Sequence, residues 1–464
     1  MKLETNMTSG NLFKKLALYT IPFALTSMLQ LFYNAADLIV CGSFGSAHSV
    51  AAISCTNSIA NITLNLFIGL SIGANVLIAR CYGKGESEKE KANKVLHTSI
   101  FLSVVIGILV GALGFFICRY ILEMMHTPDD VIDLSTSYLK IYFIGLPFTL
   151  IYNFGSAALR AIGDTKRPFI ILLSAGIFNI GLNILFVVAF KMDVVGVAIA
   201  TVISQAISAI AVTIILMVNK GYIRLKFKDL KPSLSIAIEV VKIGLPAGLQ
   251  GILFNISNII IQSSINSLGT DFMDGNGASA SIEAFAYTGM NCASQSGLAF
   301  ISSNYGAGRK DNIKKVVIDT VILVLIINIV MWALILSLQN YLLKLYIRDN
   351  DVAFKAAKER NILFAATHFL MGFCDLFAAA LRGIGYYLTP TIISIVGICG
   401  FRLLWVYAIF PLENMHNYLS LMISYPISWF MTTSVQAICF LVFFKKLKLE
   451  PVIKVGEIKE EINN

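Results

Sequence analysis

One carboxylate stands out in a chain that is otherwise apolar around it. Asp37 closes the segment Tyr33-Asn34-Ala35-Ala36-Asp37, late in a hydrophobic stretch covering residues 14–40 and well past Pro22. Asn34 lies one helical turn earlier and shares its face. A charge at the middle of a bilayer costs about 2.5–3.5 kcal/mol on insertion scales, so a carboxylate kept there normally faces a cavity and carries function. Low dielectric disfavours the charged form, which lets such a group hold and release a proton near neutral pH. With amide oxygens beside it, the same group can instead ligate a hard cation such as Na+. The plain structural alternative is a carboxylate bonded to helix ends or reaching out to the interface.

Partners for Asp37 lie further along. Asn179 and Asn183 are four residues apart on one helical face, and Thr201 adds a hydroxyl in the next apolar stretch. Two asparagines in an apolar helix serve as interhelical glue about as readily as they serve as ligands. Tyr33, beside Asn34, belongs with a substrate cavity. The second half has its own polar set. Glu283 opens the eighth apolar stretch, Asp375 lies in the tenth, and Arg402 lies in the eleventh next to Trp405. Arg402 needs a carboxylate partner, and Asp375 is the first choice; a pair of that kind can be purely structural. The eight cysteines show no CxxC spacing and the five histidines no HExxH, so no metal is expected beyond Na+ at Asp37.

The elements that must hold these residues are long apolar helices. The 464 residues are 57% hydrophobic and 14% charged, with a mean hydropathy of +0.76, against about 25% charged in soluble proteins. Twelve stretches are long enough to span hydrocarbon: 14–40, 50–80, 95–123, 133–160, 166–190, 193–219, 238–267, 279–305, 316–343, 357–383, 388–411 and 418–444. The expected fold is therefore an all-α polytopic membrane protein with twelve transmembrane helices.

They come as two sets of six. Tyr82-Gly83-Lys84-Gly85 recurs at Tyr305-Gly306-Ala307-Gly308, Ala158-Leu159-Arg160 at Ala380-Leu381-Arg382, and Ile21-Pro22 at Leu245-Pro246. Repeats of this size mark secondary transporters. The expected organisation is a six-helix lobe over 1–219, a basic cytoplasmic linker over 220–237, a second six-helix lobe over 238–444 and a cytoplasmic tail over 445–464. Pro22 pairs with Pro246 and Pro168 with Pro390, while Pro147 and Pro426 have no counterpart. Each marks either a static kink or a hinge.

The net charge of +9 is mostly topological. Sorted by alternating loops, 27 of the 36 Lys and Arg fall on one side, 7 on the other (Arg119, Lys191, Lys344, Arg348, Lys355, Lys358 and Arg360), and Lys140 and Arg402 lie within spans. That bias puts both termini in the cytoplasm, in the plasma (inner) membrane, and argues against nucleic acid as a partner.

Taken in order, these segments resemble the multidrug and toxic compound extrusion (MATE) family over essentially the whole chain. The resemblance rests on Asn34–Asp37 followed by Gly42, on Gly69-Leu70-Ser71 leading to Tyr82-Gly83-Lys84-Gly85, and on Leu159 through Lys166. Asn179-Ile180-Gly181-Leu182-Asn183, Leu245 through Gln250, Asn304 through Gly308 and Leu381-Arg382-Gly383 complete it. It implies two pseudo-symmetric six-helix lobes around a central V-shaped cavity, and efflux of organic, often cationic, compounds in exchange for H+ or Na+. Asp37 matches the family's main coupling residue, with Asn34, Asn179, Asn183 and Thr201 as partners. Many members carry an aspartate where this chain has Asn183, and the seventh-helix glutamate of some Na+-coupled members has no counterpart in Gln250 through Asn255. Both departures leave H+ favoured over Na+. Glu283, Asp375 and Arg402 resemble polar positions of bacterial relatives without an assigned role.

The expected activity is thus ion-coupled antiport by rocker-type alternating access, in a monomer without cofactor, in contact with the lipid bilayer. A lipid or lipid-linked saccharide flippase is the alternative within transport, but only Lys140 and Arg402 lie within spans to hold a pyrophosphate. A membrane-embedded enzyme would need a nucleophile–base set, and a channel a filter-like repeat; neither is visible in the sequence.

Overall fold

The computed structural model describes residues 4–46, 48–347 and 350–449. Residues 450–464 of the expected tail, with Lys2 and Arg348 of the charge count, lie outside the described residues.

Apolar stretches of 20 or more residues become helices because only a helix satisfies its own backbone groups away from water. The first six spans are α1 (Leu12–Phe44), α2 (Ser49–Lys84), α3 (Lys89–Met124), α4 (Asp129–Ala161), α5 (Lys166–Asn183) and α6 (Asp193–Val218). α5 runs on into a π-helical segment, Ile184–Ala189. The next four spans are α7 (Leu234–Asn266), α8 (Thr270–Gly306), α9 (Lys310–Lys344) and a broken span made of α10 (Asp351–Thr367) and α11 (Phe369–Gly383). The eleventh comprises α12 (Leu388–Ser394), a π-helical segment Ile395–Gly400, α13 (Phe401–Leu404) and a second π-helical segment Trp405–Ile409. α14 (Tyr418–Lys446) is the twelfth.

Among the described residues ten of these helices are long and apolar enough to cross a membrane, or eleven if α10 and α11 count as one span bent by 46°. α8 is the longest α-helix among the described residues but is interrupted by Ser, Gly and Asn, which lowers its hydropathy below that of its neighbours. Polarity is inverted relative to a water-soluble protein. Ile108, Leu113, Phe116, Ile326, Ile329 and Val330 are exposed, whereas Asp37, Asn183, Gln250, Arg360 and Gln436 are buried. The protein is an all-α, multi-pass membrane protein.

The chain divides into two compact units, Met1–Asn6 with Ile21–Gly248, and Met7–Thr20 with Leu249–Asn464. The boundary differs from the expected one. It falls inside α7 rather than in 220–237, and a first segment of α1 belongs with the second unit. Both transfers occur close to a proline: α1 changes unit between Thr20 and Ile21, just before Pro22, and α7 between Gly248 and Leu249, just after Pro246.

Within the first unit α3, α4 and α6 pack side by side. A β-carbon at Gly107 would strike the backbone of Pro147, and one at Gly111 the carbonyl of Phe143, so small residues let α3 and α4 approach closely. The 220–237 segment is bound to this unit. Tyr222 Oη lies 2.7 Å from the carbonyls of both Cys81 and Gly85, and the amides of Arg224 and Lys226 donate to Asn93 Oδ1 and His97 Nε2. Burial pushes the Tyr222 phenol up from its ordinary value, so it stays a donor to those carbonyls. α7 begins at Leu234, four residues inside the expected linker.

The described residues of the second unit include two apolar clusters. One gathers Ile282, Trp332, Phe364, Met371 and Trp429, and the other gathers Ile261, Ile265, Phe410, Tyr418 and Leu421.

The prolines divide by position. Pro22, Pro147, Pro246 and Pro426 lie inside continuous helices. Pro168 and Pro390 occupy the third residue of α5 and α12, where the amide has no intrahelical partner to lose, so they begin helices rather than kink them. Among the described residues the 46° break within a span falls at His368, with no proline there.

Candidate functional site

Asp37 sits in the last third of α1, 7% exposed, facing α5 and α6 of the same unit. Asn183 Nδ2 donates to Asp37 Oδ1 at 2.6 Å and is 3.2 Å from Asn179 Oδ1. Thr201 Oγ1 donates to Asp37 Oδ2 at 3.3 Å, and Asn179 Nδ2 lies 3.5 Å from Thr201 Oγ1. Four of the five polar residues expected at this site form one network. Asn183 is fully buried and is the last α-helical residue before α5 widens into its π-helical segment. Wide turns of this kind recur at functional sites.

The network opens onto a cavity of about 150 Å³ inside the first unit. Tyr33, Asn34 and Gln30 of α1, Thr149 and Asn153 of α4, and Ser204, Gln205 and Ser208 of α6 line it. Tyr33 Oη donates to the Leu172 carbonyl at 2.9 Å, which fixes its ring over Gly176; a β-carbon there would overlap the ring. Asn34 shares the face of Asp37 and lines the same cavity, but the donors to the carboxylate come from α5 and α6 rather than from Asn34. Gln205, which accepts from Thr149 at 2.6 Å, and Gln30 and Asn153 were missed by sequence reasoning. Single amides carry no spacing signal.

Asp37 faces no Lys, Arg or His in this network. Its charge is met by neutral donors alone, so the carboxylate can accept a proton without breaking an ion pair. Asn183 Oδ1 is buried with no hydrogen-bond partner. An amide turned by 180° presents that oxygen instead of its nitrogen. Asn183 can therefore donate to the carboxylate and accept from the carboxylic acid. For a cation such as Na+, the oxygens of Asp37, Thr201 and Asn179 are the available ligands, and the Nδ2 of Asn183 now occupies one side of the carboxylate. Among the described residues no group of three or more His, Cys, Asp or Glu is placed to hold a metal ion.

The second-half residues fall into three separate places. Glu283 is well inside α8 rather than at its opening, and it pairs with Arg360 and with His368 Nε2 at 3.2 Å. Trp332 Nε1 donates to His368 Nδ1 at 3.2 Å, so the imidazole proton is on Nε2 and points at Glu283. Arg360, sorted with the loops by charge pattern, is buried in α10. A run of charges before an apolar stretch hid which of them turn inward.

Asp375 accepts from Asn291 Nδ2 at 2.8 Å and interacts electrostatically with Arg382. Arg402 does not pair with Asp375. Its Nη1 donates to Asn258 Oδ1 at 2.9 Å, its Nε to Ser428 Oγ at 3.3 Å, and its guanidinium lies 4.0 Å from the Tyr425 ring centre. Asp375 is instead drawn to α8, where Asn291 and Tyr287 supply its donors.

A family model described as MatE matches residues 22–185 and 246–408, one match in each half. A probable multidrug resistance protein, YoeA of Bacillus subtilis, is 27% identical over 84% of this chain and 85% of its own length. A multidrug export protein, MepA of Staphylococcus saprophyticus, is 24% identical over 83% and 85%. An outward-facing MATE-family transporter of the MOP superfamily has the same fold, with a TM-score of 0.86 and 20% identity, over 96% of this chain and 98% of the other.

Proposed function

Because the chain belongs to the multidrug and toxic compound extrusion family, we propose that it exports small organic molecules, chiefly cationic ones, by antiport with H+. Asp37 is the ion-binding group in this reading. The observation that carries it is a buried carboxylate held only by neutral donors, at the wall of a cavity within one unit.

Proton binding removes the charge that Asn183 and Thr201 hold, and Asn183 turns its amide to accept from the new O–H. The network between α1, α5 and α6 then repacks, and α1 bends near Pro22, where it changes unit. Release of the proton restores the donor geometry and commits the carrier to the opposite state. Alternating access of the two halves follows, in a monomer in the plasma membrane with both termini cytoplasmic.

An organic cation suits a pocket whose one charged group is a carboxylate lined by Tyr33 and Tyr152. Na+ is the second ion to consider, because Asp37, Asn179 and Thr201 offer oxygens; the Nδ2 of Asn183 against Asp37 favours the proton. Flippase activity has less support, since the cavity lining carries no Lys or Arg for a pyrophosphate.

The test is export of a cationic dye from proteoliposomes under separately imposed H+ and Na+ gradients. Export driven by H+ alone supports the reading. Export driven by Na+ alone, or by neither, overturns it.

A further inference from the structure

The repeat makes a comparison possible between the Asp37 network and its counterpart in the second half. With Pro22 matched to Pro246, Asn34 corresponds to Asn258; with Pro168 matched to Pro390, Ile180, next to Asn179, corresponds to Arg402. The helices also correspond: α1, α5 and α6 build the first site, and α7, the α12–α13 span and α14 hold Arg402. Both sites adjoin π-helical segments, Ile184–Ala189 in one and Ile395–Gly400 with Trp405–Ile409 in the other. The charged residues do not fall at matched positions, yet the corresponding helices hold opposite charges. Asp37 corresponds to Ile261, and the second site has a guanidinium instead of a carboxylate.

That guanidinium is 4% exposed. Two other buried cations in the spans of its unit face carboxylates, Arg360 with Glu283 and Arg382 with Asp375. Arg402 has no carboxylate within ion-pair distance among the described residues. It is held by two neutral acceptors and by the faces of Tyr425 and Trp429, at 4.0 and 5.9 Å. These contacts use Nε and one N–H of Nη1. Nη2 donates to none of the described groups, yet, unlike the Nε of Arg360, it is not sealed inside the protein. The indole N–H of Trp429 is also buried without an acceptor. Two neighbouring side chains thus carry donors that lack acceptors, and one of them carries a full charge. A planar guanidinium with a free edge matches an oxyanion through two parallel N–H···O bonds.

We infer that the Arg402 pocket, between α7, α13 and α14, binds a small oxyanion, a carboxylate or phosphate group, as the charge-reversed twin of the Asp37 site. The oxyanion completes the N–H donors of Arg402, and the rings of Tyr425 and Trp429 favour one attached to an aromatic body. The two halves of the carrier therefore recognise opposite charges. This inference concerns equilibrium binding and stands apart from proton coupling at Asp37, so either can fail without the other.

All three tryptophans of the chain, Trp332, Trp405 and Trp429, lie in the second unit, and Trp429 touches the pocket. Tryptophan emission of the full chain in phosphatidylcholine nanodiscs is titrated with benzoate and with its neutral isostere benzamide. A second preparation in phosphatidylglycerol nanodiscs, without added solute, tests a lipid phosphate as the source. Saturable quenching by benzoate but not benzamide supports a soluble carboxylate. An emission shift in phosphatidylglycerol that occludes benzoate supports the lipid source. In Arg402→Gln either response weakens at least tenfold; in Arg402→Lys, which keeps the charge and loses the fork, it weakens several-fold. Equal responses to benzoate and benzamide, no saturable response in either preparation, or unchanged affinity in both variants overturns the inference.

Discussion

Asn183→Asp is the most informative single change in the Asp37 network. In the native protein the Asn183 amide nitrogen is 2.6 Å from Asp37 Oδ1, and both groups are buried. The substitution replaces a donor by a second carboxylate at nearly the same place. Two unit negative charges at that separation repel by about 6 kcal/mol with an effective dielectric constant of about 20. One tenfold change in proton binding corresponds to about 1.4 kcal/mol, so the penalty amounts to more than four decades before the side chains relax. Both carboxylates cannot be ionised together at neutral pH. The pair must keep one proton or take up a cation, and the oxygens of Thr201 and Asn179 are already in reach to help hold one. The expected outcome is that export by Asn183→Asp accelerates several-fold under an imposed Na+ gradient at equal pH on both sides, where the native protein does not respond. Dye export from proteoliposomes, with the pH clamped by buffer on both faces, measures this. If the variant keeps the native protein's ion preference and pH profile, Asn183 is not part of the ion site and the network has been misjudged.

Two further predictions concern the scaffold. Gly176→Ala should push the Tyr33 ring off its place and break its bond to the Leu172 carbonyl, at a cost of about 1–3 kcal/mol; the drop in thermal midpoint should vanish in a Tyr33→Ala background, and an undiminished drop there would locate the strain elsewhere. Glu283→Gln should leave Arg360 buried beside a neutral group and destabilise the protein by about 3–5 kcal/mol, while adding Arg360→Met should recover most of the loss. Equal thermal midpoints for Glu283→Gln and the native chain would show that this pair contributes nothing.

Hydropathy made the spans legible, because a bilayer demands long unbroken apolar helices and few other patterns satisfy it. The cluster at Asp37 was legible too: Asn179 and Asn183 at helical spacing, and one acid in an apolar run, can hardly point into lipid. Sequence reasoning failed where direction mattered. Asn34 and Asp37 line one cavity as their spacing requires, but spacing within α1 could not show that the donors to the carboxylate come from α5 and α6. Arg402 was given to Asp375 because a buried cation calls for an anion, but the rings of Tyr425 and Trp429 and the oxygens of Asn258 and Ser428 hold it instead. His368 gave no sign in the sequence that it would mark the bend between α10 and α11. The division within α7 was equally hidden, since a basic linker looks like a natural border and Tyr222 binds that linker firmly to the first unit.

The central claim is that one carboxyl at Asp37 exchanges its proton for substrate. Proteoliposomes loaded with a pH-sensitive dye test it directly, by recording whether addition of a cationic substrate moves protons across the membrane. The native protein should give a substrate-dependent pH change that Asp37→Asn, folded and still binding the substrate, does not give. An equal proton flux in Asp37→Asn would contradict the account.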